Sequence, residues 1–464
     1  MIQTNKPMMF SFCKDTNATK YYEVIIKYKN FDFISFYEFI SIQKGPLFDS
    51  SMGSSTYSNW SFFGIQPSKK LSSSINNKTD FLEQIQAEIF NHKEIPKEIN
   101  DLPFIAGYMG FISYEKSFEN LNPKKPTSST FPEYQFEHYD GSITLNHKTN
   151  EIIVVTSDLQ TYESILDQYQ KYIFCKSKTT KKPVSISKAK PQLMKADYLQ
   201  KIKQILENIK CGNIYQANFT HKLIAEFHGN PIELYKSLRR FNPSPYSCYY
   251  QVSEDLFILS SSPERLFKIE QNIITSNPIK GTIKRDANPA RDKTQKKILL
   301  NSPKDRAELT MIVDLIRNDL GRICEFGSIT VNQWPTLETF QKVHHLVGEI
   351  QGKLNPKTTL NQIFSSIFPG GSITGAPKIR SMEIIDKIED SSRGPYTGSI
   401  GYIDLRGNME FNILIRTILI EKNKLTLQVG GGIVADSDPK KEYEETMHKA
   451  EAILDALNHF ELEK

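Results

Sequence analysis

Three glutamates are spaced to present carboxylates from two helix-like segments. Glu308 stands in DRAELTMIVDLIRNDLGR, where Ile312 and Leu315 follow at i+4 and i+7 and share its helix face. Glu442, Glu445 and Lys449 succeed one another at i, i+3 and i+7, again on one face, while Tyr443, Met447, Ala450 and Leu454 form a separate apolar stripe. Magnesium takes hard oxygens from one or two carboxylates and leaves its other positions to water and substrate. Glu308 and Glu445, joined by the fold, can supply such a site. The ordinary alternative is a solvated acidic face with an i,i+4 pair between Glu445 and Lys449.

Four further segments carry chemistry-bearing residues. In SNPIKGTIKR, Lys280 lies between Ile279 and Gly281; a lysine acts as a nucleophile only when neutral, which requires desolvation or a nearby cation. Glu264, in SSSPERLF, can serve as a general acid where burial raises its pKa, or simply pair with Arg265. In FPGGSITGAPKIRSMEII, Gly370, Gly371 and Gly375 let a ligand approach the backbone, and Pro377 opens a helix just after Thr374. That segment is not a nucleotide-binding loop, because it lacks GxxxxGK[ST]. Gly430, Gly431 and Gly432 allow close approach, and Arg416 is a candidate carboxylate clamp. His344 and His345 sit beside Leu346 and Val347, a setting of core histidines as readily as of catalysts. Each signal alone has a structural explanation; together they point to an anionic, metal-assisted ligand.

These residues must be positioned by a chain of 464 residues, long enough for about three domains at ~150 residues each. Its composition, 39% hydrophobic and 24% charged, is that of a globular protein. The net charge is +5, but lysine is spread along the whole chain, so neither a nucleic-acid-binding stripe nor such a partner is expected. The N-terminus lacks a signal-peptide core, and no apolar run is long enough to span a membrane. Cys13, Cys175, Cys211, Cys248 and Cys324 form no CxxC pair, which argues against disulfide or zinc frameworks and for a reducing, cytoplasmic setting.

The clearest break is the Lys- and Ser-rich stretch 176–192, expected to be an exposed connector between a β-rich part, 1–175, and a mixed part, 193–464. Tyr21 to Tyr28 and Gly107 to Tyr114 read as strands, Ser142 to Leu145 with Glu151 to Thr156 as a hairpin, and Ser50 to Ser58 as a loop. Tyr198, Ile202, Ile205, Leu206 and Ile209 follow helical spacing up to Gly212. A second hairpin turns near Asn423, and Asp438-Pro439 opens the last helix. Without regular βαβ alternation, the fold class is α+β.

Taken in order, GNIYQANFT, NPSPY, SSSPERL, PIKGTIKR, DRAELTMIVDLIRNDLGR, VHHLVG, FPGGSITGAPKIRSMEII, GSIGY, FNILIRT and QVGGGIVADSDPKKEYEETMHKAEAIL cover nearly all of 212–454. They resemble the chorismate-binding enzymes, which include anthranilate, aminodeoxychorismate, isochorismate and salicylate synthases. The N-terminal part matches more loosely, through GPLFDSS, GYMGFISYE and HYDGSI. The resemblance implies antiparallel sheets packed on each other and flanked by helices, as in anthranilate synthase component I.

Lys280 decides which family reaction the resemblance implies. Aminodeoxychorismate-forming members carry PIKGT here, and anthranilate-forming members usually carry PIAGT. In the family mechanism the lysine amine attacks C2 of chorismate, the C4 hydroxyl leaves, and ammonia adds at C4 while expelling the lysine. Matching positions make Glu264 the acid for that hydroxyl, and Glu308 and Glu445 the Mg2+ ligands with Glu442 in or near them. Thr374, Lys449 and the Gly432 backbone then meet the ring carboxylate, with Gly431 beside it; Tyr402, Arg416 and Gly430 meet the enolpyruvyl carboxylate; His345 lies near the ring. Leu309 and Asn213 depart from the family pattern without removing a proposed ligand. No glutaminase nucleophile segment is present, so the resemblance implies ammonia from a separate glutaminase subunit and a place on the route to 4-aminobenzoate and folate. The rival readings are anthranilate formation, where NPSPY helps to build a tryptophan feedback site, and a non-catalytic chorismate or tryptophan sensor.

Overall fold

Runs rich in Val, Ile, Phe and Tyr form the strands, as β-branched and aromatic side chains favour. The computed structural model describes residues 8–11, 22–27, 31–52, 59–73, 80–89, 101–116, 129–174, 183–340 and 343–460. Two long strands, Trp60–Ser72 and Tyr134–Asn146, pair antiparallel along their length and form a junction. From the first, one arm of antiparallel strands runs through Lys44–Asp49, Tyr246–Gln251, Leu256–Ser262, Thr417–Glu421 and Lys424–Ile433 to Gln216–His228. From the second, another arm runs through Gly107–Ile112, Ser399–Asp404, Met409–Asn412, Arg265–Glu270 and Ile273–Asn277 to Val343–Lys353. That last strand also pairs with Ile279–Lys284 and Thr330–Thr339.

The chain passes between the arms at 262–265 and again at 412–417. Glu264 and Arg416 stand on these two crossings. The crossings are pinned together: Ile413 N–H donates to the Glu264 carbonyl at 3.0 Å, and Ser261 N–H to the Arg416 carbonyl at 3.1 Å.

Helices cover the arms because each has one apolar face. Phe81–Ile89, Pro303–Gly321 and Leu360–Ile367 bury Leu82, Ile85, Leu309, Val313 and Phe364 against Phe411 and Ile350 of the second arm. Phe33–Phe39, Leu159–Phe174, Pro231–Phe241 and Pro439–Asn458 bury Phe36, Ile165, Leu234, Leu238 and Ile453 against Leu223, Ile420 and Leu427 of the first. Each such side chain contributes on the order of 1.5–3 kcal/mol relative to exposure. The architecture is α+β. Among the described residues no helix is long and apolar enough to cross a membrane.

Several local expectations hold for physical reasons visible in the structure. Helix Lys195–Lys210 buries Tyr198, Ile202 and Ile205 and stops before Gly212, whose φ of 74° suits only a residue without Cβ. Asp438 caps the last helix by accepting from the N–H groups of Lys440 and Lys441. Tyr134–Asn146 and Glu151–Thr156 form the first hairpin, and Thr417–Glu421 and Lys424–Ile433 the second. Of the loop expected at Ser50 to Ser58, residues 53–58 lie outside the described residues, as do 176–182 of the connector. The rest of the connector is more than a tether: Ser185–Ile186 and Lys190–Pro191 add two short antiparallel strands to Gln216–His228.

Candidate active site

Ile279–Lys284 does not pair regularly with Val343–Lys353. Its register shifts between Lys280 and Thr282, where Gly281 adopts φ of 72°. Such a bulge re-aims the side chain beside it. The Lys280 amine lies where a Cβ on Gly432, in the other arm, would meet it at 3.5 Å; the same Cβ would stand 2.6 Å from the Gln216 amide nitrogen. Glycine at 432 therefore clears the space that the amine and the amide share. Burial lowers the Lys280 pKa, and Lys449 works in the same direction against Glu308, Glu264 and Glu445.

Glu264 is buried, and burial lifts its pKa to about 7 against the pull of Ser372, Lys280, the Ile279 backbone and Arg416. Arg416 has φ of 51°, a left-handed conformation uncommon for a side-chain-bearing residue, and burial lowers its pKa to about 10 while Glu264 opposes the fall. His345 contacts Thr282 Oγ1 through Nδ1 at 2.8 Å, and its buried Nε2 is unpartnered. Burial, with Arg416 nearby, drives it down to about 3, so the ring is neutral. His344 faces the other way and binds Asp292 at 2.9 Å, tying helix Pro289–Leu300 to the sheet.

The three glutamates are not equivalent. Glu308 projects from helix Pro303–Gly321 with Lys304 at 3.9 Å. Glu442 is buried and accepts from Ser437 Oγ at 2.7 Å; burial, then Glu445, raises its pKa above the usual carboxyl value. Glu445 pairs with Lys449 at 2.8 Å, the i,i+4 pair open from sequence, and Lys449 also donates to the Gly430 carbonyl at 3.3 Å. A Cβ on Gly431 would stand 3.5 Å from Glu442 Oε2 and 3.8 Å from the Lys449 amine. Among the described residues no group of three or more His, Cys, Asp or Glu side chains is arranged to hold a metal ion. A Mg2+ completed by substrate needs only one or two carboxylates. Glu308 and Glu445 both act on the Lys280 amine, and a cation would relieve the crowding of Glu445 on Glu442. The hard-oxygen donors fit Mg2+.

Thr374 follows the Gly371–Ile373 turn, fully buried, its hydroxyl donating to the Gly370 carbonyl at 2.9 Å. Two buried ion pairs fix this turn. Lys378 meets Asp319 of the Glu308 helix at 2.6 Å. Arg393 meets Glu389 at 2.8 Å and donates to the carbonyls of Ile373 and Asn218.

Tyr402 sits on strand Ser399–Asp404, with its ring against Phe48, Phe62 and Phe104. That aromatic group lines a separate cavity, with Asp49 from GPLFDSS and Pro245 and Tyr246 from NPSPY. Sequence reasoning missed Gln216, fully buried with both amide atoms unpartnered. The available signal was the alternation of Gln216, Asn218, Thr220 and Lys222 with Ala217, Phe219, His221 and Leu223: a polar face on a strand otherwise destined for the interior. The structure thus brings together Lys280, Glu264, Gln216, Arg416, His345 and the Gly430–Gly432 run, with Glu308 and Glu445 acting on the amine, while the Tyr402 ring packs within the aromatic group.

Comparison with known proteins agrees with this geometry. Residues 48–455 match the family described as chorismate binding enzyme. The aminodeoxychorismate synthase component 1 of Klebsiella aerogenes is 36% identical over 369 residues, 78% of this chain and 79% of that protein. The anthranilate synthase component 1 of Saccharolobus solfataricus is 35% identical over 364 residues, 78% of this chain and 83% of that protein. The crystal structure of anthranilate synthase component I from Streptococcus pneumoniae superposes with a TM-score of 0.75 at 29% identity, covering 86% of this chain and 93% of that one. This protein belongs to the chorismate-binding enzyme family.

Proposed function

We propose that the chain aminates chorismate at C4, forming 4-amino-4-deoxychorismate, with Lys280 as covalent nucleophile. The observation that carries this reading is the Lys280 amine itself, driven toward its neutral form by burial and held over Gly432 with the Glu264 carboxyl nearby. An amine in that state can attack C2 while Glu264, protonated near neutrality, gives its proton to the departing C4 hydroxyl. Ammonia then adds at C4, the C2–N bond breaks, and Lys280 returns as a free amine. Arg416 and Lys449 offer cations to the two substrate carboxylates. Thr374 and the Gly430–Gly432 backbone allow the ring to lie close to the sheet. Mg2+ would be held by Glu308 and Glu445, with Glu442 in support, and would offset the charge of the dianionic substrate. The product keeps its enolpyruvyl group. Ammonia reaches the enzyme from a separate glutaminase subunit, in line with the "component 1" in the names of the relatives.

A second reading, anthranilate formation, is favoured by relatives of that name at equal identity and by the aromatic cavity at NPSPY. Product identity separates the two. Purified chain incubated with chorismate, Mg2+ and excess ammonium salt at mildly alkaline pH yields aminodeoxychorismate, convertible to 4-aminobenzoate by an added lyase. Anthranilate as the product overturns the C4 reading.

A further inference from the structure

A small cavity reaches Glu264 between helix Pro303–Gly321 and the Gly371–Ile373 turn, walled by Leu266, Ile316, Ile367, Ile413 and Ser372. The centre of a water-sized molecule has about 20 Å3 in which to move there, more than the ~10–15 Å3 that one water needs. A ring with two carboxylates has no room. Ile316 is the one wall residue that is not buried, so the mouth lies at Ile316. The Ser372 hydroxyl borders the space beside Glu264, whose pKa it lowers. Asp319 also borders the space, but its carboxylate is taken by Lys378 at 2.6 Å. Apart from Glu264, Arg265, Ser276, Ser372 and Asp319 the wall is apolar, and the space suits a small neutral molecule that is to meet the Glu264 carboxyl.

We infer that this cavity is the exchange chamber of the reaction: ammonia enters past Ile316 and reaches C4 beside Glu264, and the water released from C4 leaves the same way. The inference rests on the C4 reading above, whose chemistry needs one small molecule removed and another delivered at one place. Attack of Lys280 on C2 breaks the C4–O bond, and the hydroxyl takes the Glu264 proton and departs as water. Ammonia forms the C4–N bond as the C2–N bond breaks, and the new ammonium gives one proton back to the Glu264 carboxylate. Chorismate and ammonia become aminodeoxychorismate and water, with Lys280 and Glu264 restored. Both small molecules pass the same carboxyl group, which the chamber adjoins.

The chamber can be closed after folding. Ile316→Cys introduces a smaller side chain that methanethiosulfonate reagents of increasing size then cap, with the identically treated unsubstituted chain controlling for its own cysteines. Initial rates are measured with ammonium chloride as nitrogen source at fixed pH. Capping raises the KM for ammonia by about tenfold or more, a loss of at least ~1.4 kcal/mol in its access term, while the KM for chorismate stays constant; dithiothreitol reverses the effect. Capped protein, verified by mass, that makes aminodeoxychorismate with an unchanged ammonia KM overturns the chamber and leaves the C4 reading intact. An equal rise in both KM values also overturns it, as general distortion. Anthranilate from the unsubstituted chain overturns the C4 reading, and the chamber with it.

Discussion

Two buried charge clusters adjoin the same turn, Gly371–Ile373, and they are built differently. Around Arg393, which is almost fully buried, every direction of the guanidinium is engaged: Glu389 at 2.8 and 2.9 Å, Ile373 O at 2.9 Å, Asn218 O at 2.7 Å, Thr397 at 3.3 Å and the Tyr114 ring at 4.4 Å. Around Lys280, both amide atoms of Gln216 and Nε2 of His345 are buried without partners. An unpaired buried polar group costs about 1–3 kcal/mol. A chain that satisfies Arg393 so completely is capable of satisfying these groups too. The difference teaches that the Arg393 guanidinium is satisfied by folding, although the Tyr114 hydroxyl beside it is not, whereas the Lys280 cluster keeps polar atoms available to a ligand.

The sharpest test of that difference is Lys280→Ala. C4 amination falls by on the order of 10^6-fold, as for loss of a hydrolase's covalent nucleophile, with any residual turnover diverted toward C2; product analysis by mass and absorbance reads both. Stability does not fall, because burial opposes the charged amine. Full C4 amination by this variant would remove the covalent step. The mirror experiment is Arg393→Met, which leaves Glu389 buried and uncompensated. It lowers unfolding free energy by about 3–5 kcal/mol in a urea titration. A drop below ~1 kcal/mol would mean that the Arg393 cluster is not scaffold.

Glu264→Gln comes next. It lowers turnover by about 10^2-fold or more and changes the pH profile. Because burial raises the Glu264 pKa to about 7, the acid form is present below that pH and lost as pH rises through it. The unsubstituted chain therefore loses activity on the alkaline side from about pH 7. The glutamine variant has no such limb. Retention of the same limb would assign it to another group. Glu308→Gln has a smaller effect, raising the Mg2+ concentration for half-maximal rate by at least ~10-fold; unaltered metal dependence would count against Glu308 as a ligand.

The contrast between the clusters also explains what the sequence discloses. Lys280, Glu264, Arg416 and Gly432 are visible one by one, because a lysine before glycine, a glutamate after proline and a glycine run are local patterns. Their meeting is not local. Glu264 and Arg416 come together because the chain passes between the arms at both places, and only long-range pairing sets those crossings. Helix caps and hairpins, which depend on neighbouring residues, were legible at Asp438, Gly212 and Asn423. The short strands at Ser185–Ile186 and Lys190–Pro191 were not, because their hydrogen bonds come from a distant edge, Gln216–His228. Gln216 was overlooked for a different reason: a single neutral amide has no chemical signature until its partners are seen to be missing.

Tyr402 gives the smallest expected effect and the finest test of the comparison. Its position in GSIGY suggests the reaction site, whereas its ring packs with Phe48, Phe62 and Phe104 around the aromatic cavity. Tyr402→Phe keeps that ring and removes only the hydroxyl. The KM for chorismate and kcat should therefore change by less than about twofold, within the ~0.5 kcal/mol range of substitutions remote from the reacting atoms. Stability should shift by no more than the ~1 kcal/mol of one hydrogen bond. A tenfold rise in the chorismate KM would return Tyr402 to the substrate and mean that strand Ser399–Asp404 rearranges when chorismate binds. A null result would leave the enolpyruvyl carboxylate to Arg416, the cation that already stands on the crossing beside Glu264.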